Sequence, residues 1–244
     1  MLLVSAAPVP ARCQNARPAT PVLVELFTSE GCSDCPPADN LLARLDAEQP
    51  IVGVHVIALS EHVTYWNHQG WRDPYSSLQM DQRQNQYAQQ FRLDSSYTPQ
   101  AVIDGAEQLV GSDTRHLLQA LVREAARPTQ KLAIARAALD NGSVHFSLVA
   151  PNSEGDRLFA ALAQDVTRSE VTRGENAGRT LHYVAVVRAM KQFRSNFGGG
   201  RELQISAGNL NRQAGAGAAR LVVFLDDPRT GRVLGAAEQK LATP

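Results

Sequence analysis

Apolar positions along this chain follow two patterns, and the passage from one to the other divides it. "PVLVELF", Pro21 to Phe27, is a continuous apolar run broken only by Glu25, which predicts a short buried strand. After "TSEG", Pro36 and Pro37 suit a first helical turn, where a missing N–H leaves no bond unmade. Ala38, Leu41, Leu42 and Leu45 then recur on one helical face. "IVGVHVIAL", Ile51 to Leu59, predicts a second buried strand. Strand, helix, strand implies a right-handed βαβ unit.

A polar, aromatic-bearing stretch follows, then a glutamine-rich segment, Gln79 to Phe91, with Met80, Tyr87 and Phe91 at helical spacing, the pattern of a half-buried helix. Ala101 to Ile103 reads as a strand, Asp104-Gly105 as a hairpin turn and Glu107 to Val110 as the return strand. "SDTRHLLQALVREA" predicts a helix capped by Ser112 or Asp113, with Leu117, Leu118, Leu121 and Val122 facing inward. Pro128 closes this half.

From Lys131 the pattern changes to short strand-like runs: 132–139, 144–149, 158–164, 180–187, 203–206, 221–225 and 233–237. "DNG" at Asp140 to Gly142 and "DPRTG" at Asp227 to Gly231 are turn signals between them. Such a series fits a small antiparallel sandwich, so a domain boundary is expected near residue 128.

Composition narrows the function. The chain has 244 residues, 43% of them hydrophobic, enough for one large core or two modest ones. Lys+Arg and Asp+Glu are both 24, and no basic stripe is present, so the electrostatic footprint of a nucleic-acid binder is missing. No apolar run approaches the roughly 18 residues of a membrane span. "MLLVSAAPVPA" is similar to the apolar part and end of a secretory signal, with small residues near Ala11 but no positive leader. Residues 1–19 are therefore read as a leader remnant, and export to the periplasm or beyond is the expectation. Cys13 lies in that segment, which leaves Cys32 and Cys35 as the pair that counts.

Cys32 and Cys35 form a C-x-x-C, and three chemistries compete for it. As a brace it does little: closing a four-residue loop removes about 2 kcal/mol of unfolded-chain entropy. As a metal site it lacks two ligands, although His55, His62 and His68 follow it. As a redox pair its placement makes sense. A cysteine opening a helix feels the positive end of the helix dipole, which favours the thiolate. A second cysteine one turn on then resolves the mixed disulfide. On this reading Cys32 is the exposed attacker and Cys35 the buried resolver.

Strand, C-x-x-C, helix, strand, a later "TP", a hairpin and a terminal helix together resemble the thioredoxin fold. That resemblance implies a cis-proline facing the cysteines, matched by Thr98-Pro99 in "YTPQAVIDG", with Thr98 presenting its backbone to substrate. It also implies a buried acid that relays protons to the resolver. Glu25 takes that role here, although it lies seven residues before Cys32 instead of six, so its side chain falls on the other face unless the loop absorbs a residue. Gly31 precedes the first cysteine where that family has Trp, and Ser33-Asp34 lie between the two. Asp34 opposes the thiolate, which implies a reducing or mildly isomerising couple. Gly31, Ser33 and Asp34 join Thr98 and Pro99 as expected substrate contacts.

"VELFTSEGCSDCPPAD", "GWRDPYSS", "RQNQYAQQF", "YTPQAVIDG" and "RGENAGRTLHY" further resemble an uncharacterised family of secreted bacterial proteins with a thioredoxin-like N-terminal half. The expected fold class is α/β: a thioredoxin-like domain with an inserted helix over 20–128, then an all-β sandwich-like domain over 129–244. The expected function is thiol–disulfide exchange with protein or small-molecule thiols and disulfides, needing neither metal nor organic cofactor. A non-catalytic module holding a peptide or copper, with a static disulfide, is the alternative.

Overall fold

A computed structural model describes residues 18–150, 155–193, 200–207, 210 and 219–241. The leader, Cys13 and most of the "FGGG" turn lie outside the described residues.

The first half runs β1 (Thr20–Thr28), α1 (Pro36–Glu48), β2 (Val54–His62), α2 (Leu78–Gln90), β3 (Gln100–Ile103), β4 (Glu107–Val110) and α3 (Thr114–Ala125). β1 and β2 are parallel, while β3 returns antiparallel to β1 and pairs with β4. Asp104 and Gly105 both take positive φ, as a tight hairpin turn requires, and the Asp104 carboxylate accepts a bond of 2.7 Å from Leu23 N–H. Asp113 caps α3 through His116 N–H. Leu117, Ala120, Leu121 and Glu124 form its inward stripe. Val122, expected to face inward, is instead 53% exposed, because it falls between turns of that stripe.

The second half adds β5 (Ala133–Asp140), β6 (Ser143–Val149), β7 (Arg157–Glu170), β8 (Thr180–Phe193), β9 (Glu202–Ser206), β10 (Ala219–Asp226) and β11 (Val233–Leu241). Among the described residues these strands do not make a separate sandwich. One eight-stranded sheet runs β11-β10-β7-β8-β2-β1-β3-β4, and β5-β6-β9 form a second, small sheet. The join is a parallel bridge at Ser60 and Val186, which covers the edge of β2. The chain is thus mixed α/β, and its large sheet crosses the connection near residue 128.

Alternation along β7 explains this layering. Leu158, Ala160 and Leu162 pack with Phe146, Leu148 and Ile205 under the small sheet. Phe159, Ala161 and Ala163 belong to the other core, with Leu23, Leu41, Ile57 and Leu121. In β10, Leu221, Val223 and Leu225 alternate likewise with Val222 and Phe224. Burial on both faces is why these strands read as unbroken apolar runs.

Candidate functional site

β1 ends at Thr28, and the turn 29–35 carries the chain into α1, with Cys35 at the N-cap and Pro36 and Pro37 in the first turn. Cys32 and Cys35 are joined by a disulfide, with their Cα atoms 5.4 Å apart. Ser33 and Asp34, between them, face solvent.

Thr98 and Pro99 are joined by a cis peptide bond. The Trp66 indole N–H donates to Thr98 Oγ1 at 2.8 Å. Its Cβ lies 2.9 Å from where a Cβ on Gly31 would sit, so Gly31 has no room for a side chain. Trp66 therefore ties the segment before Pro99 to the segment before Cys32. On the other side, a Cβ on Gly111 would lie 3.2 Å from Ala38 and 3.3 Å from Pro99, which shows how closely Pro99 and the first turn of α1 converge.

The expected exposed attacker is buried. Cys32 is 1% exposed and Cys35 not at all. The loop between β7 and β8, "TRGENAGRT", folds onto the cysteine turn. Asn176, fully buried, donates its side-chain N–H groups to the carbonyls of Glu30, at 2.9 Å, and Cys32, at 2.8 Å. The Glu175 carboxylate accepts from Ser33 N–H at 3.2 Å. Gly174, with positive φ, packs on Trp71.

Glu25 does not stand near the cysteines as a free acid. In β1, Glu25 sits opposite Leu59 of β2 and Val102 of β3, and its side chain meets α2. There the Arg83 guanidinium donates to both its oxygens, and the Tyr87 hydroxyl also donates to it. Glu61 lies close by, fully buried and without a hydrogen-bond partner. Burial first, and the neighbouring Glu25 second, hold its carboxyl well above the usual range.

A different set of ionisable groups gathers behind the cysteines. Asp39 lies one helical turn after Cys35 on α1, and its N–H bonds the Cys35 carbonyl. Burial pushes its carboxyl up to about 7, against the opposing pull of His62, and its Oδ1 has no partner. His62, at the end of β2, holds Asp73 at 2.6 Å through Nδ1, while its Nε2 is unpartnered. Burial alone would lower its pKa, but Asp73 moves it upward overall. Asp73 also accepts from Glu30 N–H, and the Glu30 carboxylate accepts from Trp71 Nε1 at 2.6 Å. Burial, then the nearby Asp73, raises the Glu30 carboxyl. Tyr183 from β8 packs its ring on His62, centroids 4.7 Å apart.

Sequence reasoning missed Asp39, Asp73, Glu30 and Asn176. The detectable signal was Asp39 itself, an acid at the i+4 position from Cys35 on the helix's apolar face. His55 bonds Glu238, and His68 is exposed. Among the described residues no group of three or more His, Cys, Asp or Glu is arranged to hold a metal ion. A cleft of about 460 Å³ lies elsewhere, beside α2, but its Arg83, Arg157 and Arg229 are each ion-paired, with Glu25, Asp226 and Asp227.

A family profile described as "Protein of unknown function (DUF1223)" matches residues 23–226. A crystal structure of a protein from Agrobacterium tumefaciens, solved by a structural-genomics consortium, is 25% identical, with a TM-score of 0.67, over 91% of this chain and 95% of that one. A β-glucosidase from Kluyveromyces marxianus, solved with glucose, is 12% identical with a TM-score of 0.21, over 48% of this chain and 14% of the enzyme, and carries no argument. No curated protein matches this chain significantly.

Proposed function

We propose that this chain, which belongs to the DUF1223 family, is a thiol–disulfide oxidoreductase whose first seven elements form a thioredoxin-like unit. The observation that carries this reading is the Cys32–Cys35 disulfide at the head of α1, with Thr98-Pro99 alongside. The run β1-α1-β2-α2-β3-β4-α3, with β1 and β2 parallel, supports the fold assignment.

In the reduced form, the Cys32 thiolate attacks a disulfide of a protein or small molecule. One sulfur–sulfur bond forms and one breaks, releasing the first substrate thiol. Cys35 then loses its proton and attacks Cys32 Sγ, closing the internal disulfide and freeing the second thiol. Two electrons pass to the substrate. Run backward, the internal disulfide oxidises a dithiol. Asp39 takes the Cys35 proton in this scheme, in place of Glu25. A carboxyl with a pKa of about 7 exchanges protons readily near neutral pH. Gly31, Ser33, Asp34, Thr98 and Pro99 line the approach to Cys32. We place the reaction in an oxidising compartment outside the cytosol, where a disulfide persists.

Burial of both cysteines favours a second reading, a static disulfide in a binding module. Two measurements separate them. A midpoint between about −270 and −120 mV marks an exchangeable couple, and one below about −300 mV an inert bond. In the native compartment, Cys35→Ser is expected to accumulate mixed disulfides and Cys32→Ser to accumulate none. Equal trapping by both, or none by either, overturns catalysis.

A further inference from the structure

We propose that the β7–β8 loop, residues 172–179, is a latch that must open before any thiol reaches the Cys32–Cys35 disulfide, and that Asn176 is its catch. This rests on the proposed exchange chemistry for its biological meaning, but the physical claim concerns access to one bond.

The loop is built as a unit that leaves without dismantling the sheet. Its base is closed by its own bonds, Val171 N–H to Arg179 O at 3.0 Å and Gly178 N–H to Val171 O at 2.8 Å. Between them, residues 172–175 and 177–179 are exposed, and Asn176 alone in 172–179 is buried. The loop therefore withdraws little apolar surface from the core when it lifts, which places it among the segments that open locally at low free energy.

Closure, in contrast, has specific partners. Both N–H groups of the Asn176 amide are spent on backbone carbonyls of the cysteine turn, those of Glu30 and Cys32. Its Oδ1 accepts from Arg179 Nη1 at 2.9 Å, which fixes the amide's orientation. Glu175 adds a bond from Ser33 N–H, inside the C-x-x-C. These carbonyls and this N–H are polar groups that water satisfies once the loop is away, so the open state leaves none of them orphaned. With these bonds made, Cys32 is 1% exposed and Cys35 fully buried.

The test is the rate of reduction of this disulfide in the folded protein. A Cys13→Ser background leaves one pair to report. Excess dithiothreitol is added under native conditions, samples are quenched with iodoacetamide, and the doubly alkylated fraction is followed by mass. Each turn consumes one dithiothreitol: its thiolate breaks the Cys32–Cys35 bond, its second thiol closes a ring, and two electrons reach the protein. Asn176→Ala is expected to accelerate reduction about 10-fold or more, since both bonds to the turn are lost. The redox midpoint moves far less, because opening precedes the chemistry. Should Asn176→Ala fold poorly, Glu175→Gln and Arg179→Gln, which touch exposed side chains, are expected to accelerate reduction about 3-fold. Rates within twofold of the parent in all folded variants overturn the latch. A latch that opens as described, with no mixed disulfides trapped by Cys35→Ser even beside Asn176→Ala, retains this inference and rejects the oxidoreductase reading.

Discussion

Arg83 reaches from α2 to clamp Glu25 on β1, its Nε 2.5 Å and its Nη2 3.0 Å from the two carboxylate oxygens, with both side chains buried. The same guanidinium lies over the rings of Tyr87, Phe159 and Phe224, 4.6 to 5.1 Å from their centroids, so one cation ties the two halves of the chain together. Replacing it leaves Glu25 and Glu61 facing each other without a cation. Arg83→Met is expected to cost about 3–5 kcal/mol at pH 7, the usual cost of breaking a buried pair. Urea denaturation of both proteins at pH 7 measures it, and a loss under about 1 kcal/mol counts against this arrangement.

Asp39 yields a pH signature. Its carboxyl is raised from 3.8 to about 7, so the folded state holds the proton more tightly than the unfolded state. Stability from this group is greatest below pH 3.8 and is lost as pH rises through the window up to about 7. Asn carries no such term. The stability of Asp39→Asn relative to the parent should rise by about 1–4 kcal/mol between pH 4 and 8, with about 4 the ceiling for a shift of this size. Asp104, also raised to about 7 by burial, is present in both proteins and cancels. On the catalytic side, the variant should slow closure of the Cys35–Cys32 bond and lose any inflection near pH 7. Stopped-flow release of substrate thiol reads both, and an unaltered profile removes Asp39 from the reaction.

The His62–Asp73 pair has a dependence bounded on both sides. His62 is raised above 6.5, so its contribution is present below 6.5 and lost as pH rises through its folded value. Asp73, for which burial is outweighed by His62, lies below 3.8, so its contribution is present above 3.8 and lost on further acidification. Asp73→Asn should therefore cost most between about pH 3.8 and 6.5, on the order of 3–5 kcal/mol, and less on either side. Equilibrium unfolding across that range tests the shape. A flat penalty would mean that Asp73 serves through its bonds to the backbone of Glu30 and Tyr75 instead.

Gly111 tests how tightly Pro99 is seated. An alanine Cβ there would meet Leu26 Cδ1 at 2.6 Å, Ala38 Cβ at 3.2 Å and Pro99 Cβ at 3.3 Å. Gly111→Ala is expected to cost about 1–3 kcal/mol through overpacking, and to push Pro99 away from α1. Thiol exchange per folded molecule should fall with it. A stable variant of full activity would show that the spacing between Pro99 and α1 is not critical.

The two ends of the cysteine site differ in how openly they were written. The C-x-x-C at the head of a proline-started helix, the Thr98-Pro99 before a strand, and the Asp104-Gly105 turn are local events, each set by a few neighbouring residues. Asn176 meets Cys32 across 144 positions and Arg83 meets Glu25 across 58. Nothing in their neighbours distinguishes them from ordinary solvated polar residues, so the buried first cysteine and the occupied Glu25 were both out of sight.

By itself, the amino-acid order determined which segments are strands and helices and where the cysteine pair stands, because periodicity, proline and turn chemistry act within a few residues. Tertiary packing decided the rest. One sheet runs through both halves because β2 needs its edge covered, and β8 does so. A strand-face rule turned Glu25 toward Arg83, leaving Asp39 as the buried acid next to Cys35. Burial set the charge states of that cluster, and burial belongs to the folded whole and not to any stretch of it.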